Sequence, residues 1–204
     1  MNCQRINAII ITMREKIMRH TFKLLLEKGL EGVSITDIQK SVGMSRALIY
    51  HYFKNKDELL KESCRTYFIL RYHTAADASI AKMTCLDIID VMIDTLKNIE
   101  KELSSDSDST PVRIENYNIL FYNSIRKYKE MRDCMRQYSD YFLQVFKKGI
   151  ERGEIKKSVN PETLSNFMLY VFDGVSNYHC QSSRDEIYKK MRSELLEIYK
   201  WVKA

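Results

Sequence analysis

Proline, glycine and paired cysteine are scarce in this chain. Two prolines and six glycines occur in 204 residues, and because both residue types interrupt helices, their scarcity favours a mostly helical protein. The five cysteines are scattered and form no CxxC pair, which argues against a disulfide framework or a zinc site and indicates a reducing cytoplasm. They are Cys3, Cys64, Cys85, Cys134 and Cys180.

Long hydrophobic runs are also missing. No stretch approaches the roughly 18 uncharged residues that a membrane span requires. The apolar segment 6–13, INAIIITM, is too short for a span and lacks the cleavage site of a signal peptide. We therefore interpret residues 1–12 as an N-terminal extension or an artefact of start-codon choice, since the first recognisable helix begins at Met13.

The sequence also contains no recognisable catalytic motif. We find no nucleophile with a plausible base, no set of metal ligands and no glycine-rich phosphate loop, so we expect no enzyme, cofactor or metal site. His179 and Cys180 suggest metal or redox sensing, but adjacent residues point in different directions on a helix. A thiol switch at Cys64, Cys85 or Cys134 is a separate alternative, since reactivity depends on the environment of each thiol.

Positive charge is concentrated near the N-terminus. The net charge is +6, and residues 1–60 contain 10 Lys and Arg against 6 Asp and Glu. A basic excess in this part suits contact with phosphates, whereas a solvated basic face is the simpler alternative. The length and the 45% hydrophobic content suit one compact body or a small domain joined to a larger one.

The most informative stretch runs from Ser34 to Lys56, SITDIQKSVGMSRALIYHYFKNK. Ser34 can cap a helix that continues to about Ser41, and Asp37 places a carboxylate near the positive end of its dipole. Gly43 tolerates the positive φ that a short turn between two steeply crossed helices requires. The pattern predicts a helix-turn-helix.

The second helix of this pair is short. Ser45 can cap it, and we predict that Leu48 and Ile49 face the first helix. The residues predicted to face outward are Arg46, Ala47, Tyr50 and His51. A short helix with one exposed side fits the major groove, where its N-terminal residues meet base edges.

The run from Ile17 through Leu60 resembles the DNA-binding domain of TetR-family transcriptional repressors. Nine residues keep the spacing of that domain: Gly29, Ser34, Ile38, Gly43, Ser45, Tyr50, Phe53, Lys56 and Leu60. The chain departs at Gln39, Val42, Met44 and Ala47, where the family favours other small or apolar residues. The resemblance implies an all-α fold of about nine helices, with a three-helix helix-turn-helix domain at 1–60 and a long helix leading into an effector-binding and dimerisation domain at 61–204.

The resemblance also implies which residues meet double-stranded DNA. We expect Arg46 to read a base, because Arg pairs bidentately with guanine, with Ala47 or His51 as secondary contacts. Tyr50 and Lys56 are expected on phosphates, although Tyr50 could instead pack in the core. The full expected set is Ser34, Thr36, Ser45, Arg46, Ala47, Tyr50, His51 and Lys56.

Amphipathic helices are predicted downstream. They cover 55–78, 83–103, two segments between 112 and 151 with a break at 127–129, then 161–180 and 183–202. A polar loop is expected at Ser104–Thr110, before Pro111. The last helix should bury Ile187, Met191, Leu195, Ile198 and Trp201. The final two helices have more apolar surface than one face needs, so we expect a homodimer through 161–180 and 183–202.

An effector pocket among the middle helices is also implied by the resemblance. Its candidates are aromatic, aliphatic and Met side chains that suit a small, mostly apolar ligand: Leu86, Ile89, Ile93, Tyr117, Phe121, Tyr122, Met131, Met135, Tyr138, Phe142 and Phe172. An aromatic stripe at helical spacing is more often core than pocket.

The leading hypothesis is a homodimeric repressor that binds a palindromic operator and is released by a small molecule, which would move the long helix that starts at Lys56. The alternatives are a helical ligand carrier or enzyme that retains the N-terminal domain, and a transcriptional activator.

Overall fold

The computed structural model describes residues 3–76, 83–104, 115–179 and 181–204. Over these residues the chain forms nine α-helices and no β-strand, apart from one isolated bridge between Ile155 and Lys203. The all-α fold is thereby confirmed. The helices are α1 (Cys3–Gly32), α2 (Ile35–Val42), α3 (Arg46–Tyr52), α4 (Lys56–Ala76), α5 (Cys85–Ser104), α6 (Glu115–Lys127), α7 (Lys129–Glu151), α8 (Pro161–Tyr178) and α9 (Arg184–Val202).

Most predicted boundaries agree with these bounds to within a few residues. The predicted break at 127–129 is present, because Tyr128 separates α6 from α7. The largest difference is at α1, which begins at Cys3 instead of Met13. The polar loop predicted after Ser104, its Pro111 and the predicted start at Val112 lie outside the described residues, as does Cys180.

Side-chain caps define the starts of several helices. Asn160 caps α8 by accepting a hydrogen bond from the Thr163 amide, and Pro161 occupies the first turn, where its missing N–H costs nothing. Ser183 and Glu186 form a reciprocal capping box at α9. These polar residues fix where the helices begin.

The chain divides into two compact units. The first combines the described residues up to Phe68 with those from Glu102 to Glu130, so α6 belongs with α1, α2 and α3. The proposed functional boundary at residue 60 stays a prediction, because compactness alone assigns no role to either unit.

An aromatic cluster forms the core of the first unit. The ring of Phe22 stacks on Tyr67 with 4.7 Å between centroids. Phe68 makes edge contacts with Tyr117 at 4.8 Å and Phe121 at 5.0 Å. All five side chains are buried, and the Tyr117 hydroxyl donates to the Tyr67 carbonyl at 3.2 Å. Edge-to-face and stacked pairs of aromatic rings stabilise the fold by more than the burial of their apolar area alone.

The second unit contains residues 69–101 and 131–204. Here α8 packs on α9, and α9 is tied to α5 by a hydrogen bond from the Tyr188 hydroxyl to Glu100 at 2.7 Å and by an ion pair from Arg192 to Asp90 at 3.0 Å. The end of the chain is also fixed, since the Ala204 amide donates to the Glu154 carbonyl at 3.0 Å.

Two side chains predicted to face inward are exposed, so those predictions were wrong. Leu48 is 39% exposed and Trp201 is 65% exposed. The buried stripe of α9 runs through Met191, Leu195 and Ile198 and continues to the half-buried Val202, which leaves Trp201 outside it.

Candidate nucleic-acid interface

A reciprocal capping box begins α2. The Asp37 amide donates to the Ser34 hydroxyl at 3.1 Å, and the Ser34 amide donates to the Asp37 carboxylate at 2.9 Å. Lys28 adds an ion pair to the same carboxylate at 2.6 Å. Together with the Ser34 hydrogen bonds, Lys28 holds the pKa of Asp37 well below its usual range. The start of α2 is therefore fixed to the end of α1.

The turn between α2 and α3 has the predicted geometry. Gly43 adopts φ 71°, ψ 31°, the left-handed conformation, and its amide donates to the Gln39 carbonyl. Ser45 then caps α3 by accepting from the Leu48 amide at 3.2 Å. The glycine satisfies the last carbonyls of α2 and allows the chain to turn at once into the next helix.

The inner side of this helix pair is lined mainly by apolar residues. Ile38 and Val42 of α2 are buried, as are Ile49 of α3 and Phe53, the residue that follows it. The guanidinium of Arg14 lies 4.9 Å from the centre of the Phe53 ring. Because these residues occupy one side of each helix, the opposite side of α3 is presented to solvent.

The outer side of α3 carries half of the eight residues predicted to meet DNA. Arg46, Ala47 and His51 are exposed, and Tyr50 is half-buried. The Arg46 guanidinium lies 5.4 Å from the centre of the Tyr50 ring, so the two side chains form a cation–π pair along one edge of the helix. The other predicted residues, Ser34, Thr36 and Ser45, are exposed at the starts of α2 and α3.

Lys56 has a structural partner. Its ammonium donates to the carbonyl of Val33 at 2.9 Å, and the side chain is partly buried. This bond ties the start of α4 to the α1–α2 junction, directly beside the Ser34 cap. Sequence reasoning missed this contact because it spans 23 positions and no local signal reports it.

Contacts from the end of α6 and from Tyr128, which follows it, also hold the start of α4. The Tyr128 hydroxyl hydrogen-bonds the Asp57 carboxylate at 3.1 Å, and Lys127 lies 3.1 Å from Glu31 and 3.5 Å from Asp57. Burial and the neighbouring Asp57 charge raise the pKa of Tyr128 far above its ordinary value, so its hydroxyl stays protonated and able to donate.

This arrangement of α1 to α4 matches a known family. The model of the bacterial regulatory proteins of the tetR family matches residues 17–63, which include the capping box, the Gly43 turn and all of α3. Residues 17–63 therefore form a domain of the TetR family.

Curated relatives are similar over the same region of this chain. The biofilm operon icaADBC HTH-type negative transcriptional regulator IcaR of Staphylococcus epidermidis is 39% identical over 67 residues, which are 30% of this chain and 36% of that protein. The HTH-type transcriptional regulator PksA of Bacillus subtilis is 43% identical over 47 residues, 23% of each chain. The alignments thus span little more than a third of these relatives, or less.

Solved structures are similar over nearly the whole chain, at low identity. A TetR-family transcriptional regulator from Cytophaga hutchinsonii has a TM-score of 0.66 at 17% identity and covers 95% of this chain and 96% of that one. A regulator from Saccharomonospora viridis in complex with choline has a TM-score of 0.69 at 16% identity, covering 95% and 98%. These similarities establish the shared fold.

The predicted effector-pocket residues fall in both units. Tyr117 and Phe121 lie in the aromatic core of the first unit, and Tyr122 is exposed there. Leu86 in the second unit is 40% exposed. The remaining candidates lie on the helices of the second unit, buried except for the half-buried Met135: Ile89, Ile93, Met131, Met135, Tyr138, Phe142 and Phe172.

Two cysteines considered for a thiol switch are poorly suited to one. Cys64 and Cys85 are buried, and desolvation raises the pKa of each thiol to about 12. Since the thiolate is the reactive form, both remain unreactive near neutral pH. Cys134 is half-buried. None of the described helices combines the length and the apolar character that crossing a membrane demands.

Proposed function

We propose that this chain is a homodimeric transcriptional repressor that places α3 in the major groove of each half of a palindromic operator. The exposed side of α3 carries the proposal. It presents the side chains of Arg46, Ala47 and His51 on a helix anchored from behind by Ile49 and Phe53. A helix with one anchored side and one basic, sterically small side fits the groove.

Local electrostatics support contact with phosphates. The carboxylates near α3 are engaged within the unit, since Asp37 pairs with Lys28 and Glu58 accepts from the Lys54 amide. Lys40 and Arg46 are exposed. Exposed cations beside carboxylates that are already held by an ion pair or a hydrogen bond can attract the DNA backbone.

A homodimer is supported by the exposed side of α8. Phe167, Tyr170 and Tyr178 are 47%, 68% and 87% exposed and follow one another with Gly174 at helical spacing. A Cβ added at Gly174 would meet nothing within 4 Å, so the missing side chain serves no packing inside the chain. An aromatic stripe with a small residue at its centre suits close approach by the same helix of a second copy, around a twofold axis.

A small, mostly apolar effector is proposed for the second unit. Its support is the set of buried aromatic and Met side chains there, in which Tyr138 lies 4.6 Å from the Phe142 ring centre. Such lining can adapt to a ligand and supply a directional hydroxyl. Repression, as opposed to activation, is proposed because IcaR is a negative regulator.

The test is fluorescence anisotropy of the full chain against duplexes from upstream of its own coding region, at two salt concentrations with a scrambled competitor. We expect tight binding that survives the competitor, with two chains per duplex or a multiple of two. Binding that the competitor removes and salt abolishes would reduce the interaction to phosphate attraction and would contradict a sequence-specific regulator at that site.

A further inference from the structure

Leu48 is an exposed aliphatic side chain on the proposed DNA-reading surface. It occupies the third position of α3 and is 39% exposed, although Ile49 beside it is completely buried. Its backbone is fixed, because its amide donates to the Ser45 cap at 3.2 Å. The side chain is therefore held in solvent at a defined position.

Helix geometry places Leu48 on the outward face of α3. At 3.6 residues per turn, the direction opposite the buried pair Ile49 and Phe53 coincides with His51, and Ala47 and Leu48 lie within about 60° of it. Arg46 starts on the edge of the helix, where its guanidinium lies over Tyr50. The outward face thus has His51 at its centre, with the small apolar Ala47 on one side of it and the exposed aliphatic Leu48 on the other.

One apolar group is available on base edges in the major groove, the C5-methyl of thymine. We propose that Leu48 is a specificity-determining residue that packs against a thymine methyl group in each half of the operator. The proposal rests on the proposed function. It gives the exposed leucine a partner of matching chemistry on the same face that presents Ala47 and His51.

The test first enriches bound duplexes from a randomised pool with the full-length protein. Each thymine of the enriched half-site is then replaced by deoxyuridine, which removes only the methyl group. We expect one position where wild-type affinity falls about fourfold per half-site, the factor that corresponds to losing one buried methyl-sized group. Leu48→Ala should bind thymine and deoxyuridine at that position equally.

Ile119→Ala is the matched control. Ile119 is also an exposed aliphatic residue, 57% exposed on α6, and its truncation should leave the response to deoxyuridine unchanged. Because alanine favours helices and Leu48 is not buried, Leu48→Ala should melt at the wild-type temperature. A melt checks this before binding is measured.

The outcomes separate the two proposals. If the wild type enriches a sequence but no deoxyuridine changes its affinity, or if Leu48→Ala keeps the sensitivity, the role of Leu48 is overturned and the regulator remains. If the wild type enriches no sequence, the proposed function fails, and the role of Leu48 fails with it.

Discussion

The exposed sides of α3 and α8 show how similar local rules produce two different surfaces. Both helices begin at a polar cap and bury one apolar side. On α3 the other side is basic and small, with Arg46 and Ala47, whereas on α8 it is aromatic, with Phe167 and Tyr170. The caps and the buried side make a helix in each case, and the exposed side determines what the helix can bind.

A charge placed on the aromatic side of α8 should have the largest effect. Tyr170→Glu would put a carboxylate in the centre of the proposed dimer interface, where desolvation opposes it. We expect light scattering to give the monomer mass of 24.2 kDa instead of twice that mass. Operator affinity should fall about a hundredfold or more, because the second half-site contact is no longer intramolecular.

Lys157→Glu is the control for added negative charge, since Lys157 is exposed in the turn after α7 and outside α8. It should remain dimeric. A Tyr170→Glu protein that keeps the dimer mass, or a wild type that is monomeric at micromolar concentration, would contradict the interface and leave the aromatic stripe without this explanation.

Truncation of Arg46 should have the next largest effect. Arg46→Ala is expected to cost about 1–3 kcal/mol of binding free energy and to relax discrimination at one base position, if the side chain reads guanine. The measurement is affinity for the operator and for each single-base variant. Because Arg46 lies over Tyr50 at the edge of α3, this measurement distinguishes a contact to a base from a contact to a phosphate.

Equal weakening on every sequence would instead identify Arg46 as a phosphate contact, leaving base recognition to the centre of the α3 surface. Arg65→Ala is a suitable control, because Arg65 is an exposed arginine on α4 that pairs with Glu62 at 3.6 Å. It should change neither the affinity nor the base preference.

The helix-turn-helix was largely predictable because its signals are local. Ser34, Gly43 and Ser45 each act on residues within a few positions, so their spacing alone defines two helices and a turn. The side that each residue faces was less certain, as Leu48 demonstrates. That error could have been avoided, because Ile49 and Phe53 stand four positions apart and define a buried stripe that excludes Leu48.

The role of the aromatic residues could not be predicted in the same way. Tyr117 and Phe121 have the spacing and chemistry expected of a pocket wall, yet they pack against Phe68 in a core. Periodicity identifies the buried side of a helix but not whether a cavity or another side chain lies opposite. The link from Lys56 to Val33 is invisible for a related reason, since it depends on how three helices meet.

The hydrogen bond from Tyr128 to Asp57 offers a test of whether α4 depends on the α6–α7 junction. Tyr128→Phe removes the hydroxyl and keeps the ring, so we expect a loss of about 1 kcal/mol in the free energy of unfolding. Urea denaturation of the wild type, Tyr128→Phe, Asp57→Ala and the double variant measures the free energy of interaction between the two side chains. Strictly additive losses would mean that the two side chains do not interact.

The smallest effects should come from two capping boxes that contain an aspartate, Ser34 with Asp37 on α2 and Thr84 with Asp87 before α5. In the second, the Thr84 amide donates to the Asp87 carboxylate at 2.7 Å and the Asp87 amide donates to the Thr84 hydroxyl at 3.1 Å. In both, hydrogen bonds from the cap lower the pKa of the aspartate, and at Asp37 Lys28 adds an ion pair. A carboxyl whose pKa is lower in the folded state stabilises the fold above its unfolded pKa. That stabilisation is lost as pH falls through the folded pKa.

We therefore expect Asp37→Asn and Asp87→Asn to lower the melting temperature at pH 7, with a difference from the wild type that shrinks as pH falls below about 4. Added salt should reduce the penalty more for Asp37→Asn, because salt screens the exposed Lys28 pair but leaves the cap hydrogen bonds. Thermal melts across pH and salt provide the measurement. An equal salt response at the two sites would assign the stabilisation of α2 to its cap alone, and the two units would then begin these helices in the same way.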